Sequence, residues 1–135
     1  MSLLNVFTIT GSALHAQSAR LNATASNLAN ADSIDASTGD VYRARRPLFA
    51  ALLDGGNDDA AGVEVLGIVE SQAPPRREYQ PGHPLADAGG YVTLPNVDPV
   101  AEMADMIAAS RAYQSNVEVA GAARDMLLRT LTLGE

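Results

Sequence analysis

The sequence has no cysteine, no tryptophan and no lysine, and aromatic residues make up only 4% of it. Without cysteine the chain has neither disulfides nor thiolate metal ligands, so its redox compartment stays undetermined. Hydrophobic residues account for 47% of the chain, but many of them are alanine. This composition favours narrow contacts between helices, which we call seams, over a large globular core. A length of 135 residues fits one domain, with or without extended ends.

The chain is acidic, with a formal net charge of −7 and a pI near 4.6. This charge argues against nucleic acid or an anionic lipid surface as the principal partner. No apolar run approaches the length of a membrane-spanning helix. Residues 1–31 lack a basic n-region, and polar residues interrupt their apolar stretch. We therefore expect no cleaved signal peptide.

Motifs for catalysis and cofactor binding are missing. The sequence contains no GxxxxGK[ST], GxGxxG, HExxH or GxSxG pattern. His15 and His83 are far apart and lack metal-ligand spacing, so we expect structural roles for them. Asp58 and Asp59 provide too few oxygen ligands for calcium. We expect no cofactor, no metal and no enzymatic activity, although a small hydrolase using Asp or His side chains stays open as an alternative.

Residues 3–31 carry the most distinctive pattern in the chain. Large apolar side chains recur there every seven residues, at Phe7, Leu14, Leu21 and Leu28. Such a repeat predicts a helix that keeps one stripe facing a partner helix. Arg20 is the only charged residue of this stretch, whereas a soluble helix normally has a charged outer face. We interpret residues 1–33 as a helix that other chains cover.

A second long helix is predicted over residues 98–135. Asp98 suits the N-cap and Pro99 the first helical position. Acidic residues come early in this segment and arginines late, which complements the helix dipole. Its apolar stripe has the spacing of about 3.5 residues typical of coiled coils. The stripe consists of Met103, Met106, Ile107, Tyr113, Val117, Ala120, Leu127 and Leu131.

The middle segment, residues 34–97, is predicted to be extended and rich in β-structure, proline and glycine. Residues 62–70 alternate and are β-branched, which makes them the best strand candidate, and residues 41–53 form a weaker one. Between them, residues 54–62 are acidic and glycine-rich, which predicts a mobile loop or hairpin tip. The prolines of residues 71–97 exclude a long helix and indicate a stiff, extended arm with a turn at its Gly-Gly pair.

These elements predict an α+β chain in which two long terminal helices enclose a short β-rich middle. The middle carries a basic cluster, Arg43, Arg45 and Arg46, in an otherwise acidic chain. The cluster is either a solvated strand edge or a set of inter-subunit salt bridges, in which arginine forks give orientation more than affinity. The sequence leaves both interpretations open.

Six strings, in order along the chain, resemble the bacterial flagellar axial proteins of the rod and hook, and specifically their proximal-rod subtype. Thr38-Gly39 has no proline between the two residues, unlike the Thr-Pro-Gly-Tyr of many axial proteins, and this departure suits that subtype. The strings are 25–30 (ASNLAN), 42–45 (YRAR), 83–87 (HPLAD), 90–92 with 95–97 (GYV and PNV), 102–107 with 110–114 (EMADMI and SRAYQ), and the run from Asn116 to Gly134.

The resemblance implies how the chain is used in assembly. The terminal helices would pair as an antiparallel coiled-coil-like unit and pack with those of other subunits into a hollow helical tube. The first helix would lie toward the channel. The implied subunit-interface residues are Phe7, Leu14, Leu21, Asn27, Leu28, Asn30, Met103, Met106, Ile107, Tyr113, Asn116, Val117, Leu127 and Leu131.

The function that the resemblance implies is a structural subunit of the proximal rod, a drive shaft that transmits torque and forms part of the export channel. Implied partners are copies of the chain, other rod proteins, the membrane ring at the rod base, the rod-assembly muramidase and the flagellar type III export apparatus. The expected location is the basal body, in a rod that crosses the periplasm. A secreted helical adaptor or chaperone, which binds partners through its terminal helices, is the alternative.

Overall fold

The computed structural model describes residues 3–34, 41–53 and 60–132. It confirms the expected α+β architecture, in which a long helix near each end encloses a middle of short strands. The elements in chain order are α1 (Leu3–Ala29), β1 (Arg45–Leu53), β2 (Ala60–Glu70), β3 (Arg76–Tyr79), β4 (Tyr91–Leu94) and α2 (Pro99–Thr132).

The start of α2 is capped as the sequence predicts. Asp98 Oδ1 accepts hydrogen bonds from the Val100 N–H at 3.0 Å and the Ala101 N–H at 3.4 Å. Pro99 is the first helical residue, where its missing N–H leaves no intrahelical bond unmade. Local side-chain chemistry therefore sets this helix boundary.

The two helices pack against each other in antiparallel directions. Arg20 of α1 contacts Asp105 of α2, and Asn27 of α1 contacts Glu102 of α2. Residue numbers therefore increase along α1 in the direction in which they decrease along α2. The side chains buried along this seam are mostly small and recur at multiples of seven residues. They include Ala16 and Ala23 of α1 and Ala109 and Ala123 of α2. Alanine lets the helix axes approach closely, so the seam is thin, as the composition indicates.

Strands β1 and β2 form an antiparallel hairpin. Pairing runs from Arg45 opposite Glu70 to Leu53 opposite Ala60, with irregularities after Leu48 and after Leu52. Strand β2 begins two residues earlier than predicted, so residues 60–62 of the predicted loop 54–62 belong to the strand. The rest of that predicted loop, residues 54–59, lies outside the described residues.

The arm predicted over residues 71–97, extended with a turn at its Gly-Gly pair, folds back on itself as a hairpin. Strands β3 and β4 pair antiparallel, from Arg76 opposite Leu94 to Tyr79 opposite Tyr91. The physical reason is burial, since the hairpin places Val92 and Leu94 in the interior with 0% and 3% exposure. An arm lying apart would leave both side chains in water.

The predicted turn at the Gly-Gly pair is confirmed. Gly90 has a φ of +79°, and a Cβ at this position would lie 2.9 Å from the Tyr79 ring. Asp87 Oδ1 accepts hydrogen bonds from the Tyr91 N–H at 2.9 Å and the Gly89 N–H at 2.8 Å. The Tyr91 hydrogen bond is the largest cause that lowers the pKa of Asp87, and Gly89 and Arg77 lower it further.

The hydrophobic cluster is small and lies where the elements meet. It consists of Ala31, Ala44 and Val97, with Tyr42 packed against it. These residues belong to the turn after α1, the segment before β1 and the segment before α2. The cluster therefore joins the helical pair to the β-rich middle.

Candidate subunit interface and polar junction

Asn27, near the end of α1, is 1% exposed and uses its whole side-chain amide in hydrogen bonds. Its Oδ1 accepts from the Arg45 N–H at 2.8 Å and from the Tyr42 hydroxyl at 2.9 Å. Its Nδ2 donates to the Arg45 carbonyl at 2.9 Å and to Glu102 Oε2 at 3.1 Å. The amide thus pairs with Arg45 as a neighbouring β-strand would, and it ties α1 to both β1 and α2.

Tyr42, in the segment before β1, makes further contacts with the end of α1. Its hydroxyl also lies 3.0 Å from Ser26 Oγ, so it contacts two residues of the last turn of α1. The Arg45 guanidinium lies over its ring, 5.5 Å from the ring centre. Because its ring is packed and its hydroxyl is hydrogen-bonded, Tyr42 fixes the position of the segment before β1 against α1.

A second asparagine, Asn96, binds the segment before β1 from the side opposite Asn27. Asn96 Oδ1 accepts from the Ala44 N–H at 2.8 Å, and its Nδ2 donates to the Ala73 carbonyl at 2.8 Å. The Ser71 N–H donates to the Ala44 carbonyl at 2.8 Å. Residues 44 and 45 therefore lie between two asparagine side chains. We call Asn27, Tyr42, Arg45, Asn96 and Glu102 the polar junction.

Glu102 contributes a buried carboxylate to this junction from the first turn of α2. It is 3% exposed, and besides Asn27 it contacts the Arg46 guanidinium at 3.8 Å. The positive end of the helix dipole favours a carboxylate at this position. Arg20 and Asp105 form a second ion pair at 3.0 Å, and a cleft of about 330 Å³ opens between α1, α2 and β1 beside the two pairs.

The three arginines predicted to make inter-subunit salt bridges have contacts within the chain. Arg45 pairs with Glu70 at 3.4 Å and Arg46 with Glu102 at 3.8 Å. Arg43 donates to the Ser71 carbonyl at 3.3 Å. Since Arg45 and Glu70 are both about half exposed, their pair contributes little stability. A role between subunits stays a prediction for all three.

Most of the large apolar side chains on α2 face away from α1. In the predicted stripe, Met106, Ala120 and Leu127 are partly buried, and the other members are exposed. At 100° per residue, the exposed stripe fills a sector of roughly 120°, centred roughly 120° from the buried alanines. Its members are Met103, Ile107, Tyr113, Val117, Leu128 and Leu131, and we call them the α2 apolar face. Packing among residues 3–34, 41–53 and 60–132 leaves this face uncovered.

The predicted stripe on α1 is only partly buried. Phe7, Leu14, Leu21 and Leu28 have intermediate exposure, while the adjacent small residues fill the seam. Asn30 makes a local bond, from its Nδ2 to the Ser26 carbonyl at 2.8 Å. The outer side of α1 exposes uncharged residues, among them Gly11, His15, Ser18, Asn22, Ala25 and Ala29.

Two family models match the two ends of the chain. The model described as "Flagella basal body rod protein" matches residues 7–33, which include most of α1. The model described as "Flagellar basal body rod FlgEFG protein C-terminal" matches residues 88–133, which include β4 and α2.

Curated relatives match over the full length of the chain. The flagellar basal-body rod protein FlgC of Salmonella typhimurium is 54% identical over 136 residues, and that of Escherichia coli O157:H7 is 54% identical over 135 residues. The FlgC of Buchnera aphidicola subsp. Acyrthosiphon pisum is 43% identical over 137 residues. Each comparison covers 100% of this chain and 100% of the relative. The chain belongs to the FlgC family.

Membership of the FlgC family settles the choice between function classes. FlgC proteins are structural rod proteins, so the hydrolase alternative is wrong, and the adaptor or chaperone alternative finds no support. Over residues 3–34, 41–53 and 60–132, no cluster of three potential ligands is placed to hold a metal ion. Neither helix, over its described residues, is long and apolar enough to cross a membrane.

The polar junction draws on both regions that match flagellar rod families. Asn27 lies in the first match, and Asn96 and Glu102 lie in the second. The sequence predicts Asn27 at a subunit interface, but in this FlgC-family chain the structure places its amide in the interior. Tyr42 and Arg45 lie between the two matches, so the junction links the terminal regions through the middle segment.

Sequence reasoning missed several residues of these surfaces. Glu102 is one of several acids at the start of α2, and only its burial and its contacts with Asn27 and Arg46 in the folded chain distinguish it. The apolar run 47–53 did carry a signal, since a strand that is apolar on both faces is typical of burial on both sides. The hairpin instead exposes Leu48, Phe49, Leu52, Leu53, Leu66, Ile68 and Val69.

Proposed function

We propose that this chain is a structural subunit of the flagellar basal-body rod and that it assembles with copies of itself and with other rod proteins. The observation that carries the proposal is the α2 apolar face, where Ile107 is 56% exposed and Leu131 is 69% exposed. Apolar patches of this kind mark interaction sites, because a subunit buries them against its neighbours. Family membership supports the same conclusion.

Both helices offer surfaces for this assembly. The uncharged outer side of α1 suits contact with another chain better than contact with water. Asn27 acts inside the chain, and the other predicted interface residues supply the surfaces. These are Phe7, Leu14, Leu21, Leu28, Asn30, Met103, Met106, Ile107, Tyr113, Asn116, Val117, Leu127 and Leu131.

The assembly we propose is a hollow helical tube in the proximal rod. Contacts between different faces of successive copies are heterologous, and such contacts generate open helical filaments when the rotation does not close. The first helix would lie toward the channel, where its uncharged polar side would meet exported chains. The tube would transmit torque along its length.

The proposal extends to location and further partners. The rod would cross the periplasm, and the chain would leave the cell through the flagellar type III export apparatus without signal cleavage. The membrane ring at the rod base and the rod-assembly muramidase are the other partners we propose. The family relationship supports both, and the net charge of −7 gives no reason to add nucleic acid or lipid.

The test places a charge on the α2 apolar face. Ile107→Asp and Val117→Asp each add a carboxylate at an exposed position, so we expect no effect on helix content but loss of assembly. In a deletion strain complemented with either variant, isolated basal bodies should lack the rod, and cells should not swim. Ser115→Asp is the control, because Ser115 is exposed on α2 outside both the seam and the apolar face. Normal rods with Ile107→Asp would overturn the proposal.

A further inference from the structure

The β1–β2 hairpin is attached to α1 at two separate places. At its root, the N–H and the carbonyl of Arg45 are both bonded to Asn27. Near its far end, the Val63 N–H donates to Ser12 Oγ at 3.1 Å. Ser12 Oγ in turn donates to the Ile9 carbonyl at 2.8 Å, which fixes the direction of the hydroxyl.

The two attachments have matching spacing on the helix and on the hairpin. About 22 Å of helix separate Ser12 from Asn27 at a rise of about 1.5 Å per residue. On the hairpin, Val63 pairs with Ala51. The strand from Arg45 to Ala51 spans about 20 Å. The hairpin therefore runs lengthwise over α1.

The attachments also use opposite edges of the hairpin. In an antiparallel pair, the N–H and the carbonyl of one residue point to the same side. Those of Arg45 point to Asn27 and away from β2, while the Val63 N–H points to Ser12 and away from β1. Helix α1 thus crosses the hairpin diagonally. Two attachments on opposite edges restrict both translation of the hairpin along α1 and its rotation about either attachment.

Gly62 makes room for the attachment at the far end. It lies in β2 and has a φ of +154°. A Cβ at this position would lie 2.5 Å from Ser12 Oγ and 3.2 Å from Ser12 Cβ. A side chain at position 62 would therefore push β2 away from α1 and break the bond between Ser12 and Val63.

We propose that Ser12, Gly62 and Val63 form a latch that, together with Asn27 at the root, holds the hairpin in one orientation along α1. The latch fixes the exposed apolar side chains of the hairpin relative to the helical pair. This inference goes beyond the proposed function, because it concerns the geometry of the chain by itself. Its test below uses no rod assembly, so it can fail while the rod proposal stands.

Amide hydrogen exchange of the Val63 N–H in the full-length protein tests the latch directly. Ser12→Ala removes the hydroxyl that accepts this N–H, so the Val63 amide should exchange about tenfold faster. Gly62→Ala should also speed the exchange, because the added Cβ would lie 2.5 Å from Ser12 Oγ. Ser18→Ala is the control, because Ser18 is exposed on α1, and it should leave the Val63 rate unchanged.

A second comparison tests the root attachment. Asn27→Asp should speed exchange of the Val63 amide several-fold, because Asp cannot donate to the Arg45 carbonyl and the hairpin loses an attachment at its root. Asn22→Asp adds the same charge at an exposed position of α1 and should leave the rate unchanged. Nuclear magnetic resonance measures each rate, and the Val92 amide of β4 in the same samples reports the acceleration that global unfolding alone would cause. A Val63 rate that Ser12→Ala does not alter would overturn the proposal, and so would an Asn27→Asp acceleration no larger at Val63 than at Val92.

Discussion

The substitution Asn27→Asp removes two hydrogen-bond donors from the polar junction while keeping the shape of the side chain. The Arg45 carbonyl and Glu102 Oε2 now receive N–H donors at 2.9 and 3.1 Å, and both would lose them. The new carboxylate would also lie against the Glu102 carboxylate, which has the Arg46 guanidinium at 3.8 Å. We expect a large loss of stability because the site is buried.

The magnitude follows from the groups left without partners. A buried polar group that loses its partner costs about 1–3 kcal/mol. A buried charge without a partner costs about 3–5 kcal/mol. These costs share one network and do not add, so we expect a total of about 3–5 kcal/mol. Since small domains have an unfolding free energy of about 5–15 kcal/mol and this core is thin, the variant should lose much of its stability.

The assay is urea unfolding of the full-length protein, followed by far-ultraviolet circular dichroism. Asn22→Asp is the control, because it adds the same charge to an exposed position of α1. The double variant Asn27→Asp/Glu102→Gln provides a second check, since the introduced glutamine amide can donate to the introduced aspartate and the charge repulsion is gone. It should recover about 1–3 kcal/mol relative to Asn27→Asp alone. A midpoint for Asn27→Asp equal to that of Asn22→Asp would refute the reasoning.

Two further predictions concern the β3–β4 hairpin. Gly90→Ala should cost about 1–3 kcal/mol and loosen the strands, because φ at Gly90 is +79° and its Cβ would lie 2.9 Å from Tyr79. Amide exchange in β3 and β4 measures this, with Gly89→Ala as the control. Acid should loosen the same turn, because the pKa of Asp87 is lowered, chiefly by the Tyr91 N–H. Its stabilisation is complete above the usual aspartate range and is lost as pH falls through the lowered pKa. The Tyr91 amide NMR shift should report this transition, and a transition that persists in Asp87→Asn would contradict the assignment.

The parts of the fold that the sequence predicts are those that local chemistry decides. The start of α2 depends on Asp98 and Pro99, which act on backbone groups within three residues. The turn of the β3–β4 hairpin depends on Gly90, whose backbone conformation disfavours other residues. Strand β2 is indicated by its alternation and β-branching. Each signal acts over a short stretch, so a single sequence contains it.

The face of α1 that pairs with α2 could not be predicted in the same way. Two sets of residues repeat every seven positions, the large set that includes Leu14 and Leu21 and the small set that includes Ala16 and Ala23. Hydrophobicity favours the large set as the seam, but the small set is buried. Which set faces the partner depends on how closely the helices approach, and that distance is a property of the pair.

The polar junction could not be predicted from the sequence for a different reason. Asn27, Tyr42, Arg45, Asn96 and Glu102 come from separate parts of the chain. The strings that resemble flagellar proteins contain all five, but the resemblance does not show that they contact one another, and it gave Asn27 an interface role. Only the path of the chain brings the Arg45 backbone to the Asn27 amide.

The distribution of interactions in this chain differs from that of a protein which works alone. Within the chain, directional hydrogen bonds at the junction and small side chains in the seam hold the parts together. Large apolar side chains, such as Ile107 and Leu131 on α2 and Leu66 on β2, remain outside. Hydrogen bonds fix angles, because they weaken steeply away from good geometry, whereas apolar contact is non-directional. In the proposed rod, each subunit would therefore keep its own shape through the junction while neighbouring subunits adhere through apolar faces. A substitution at Asn27 should consequently distort subunits, and one at Ile107 should separate intact ones.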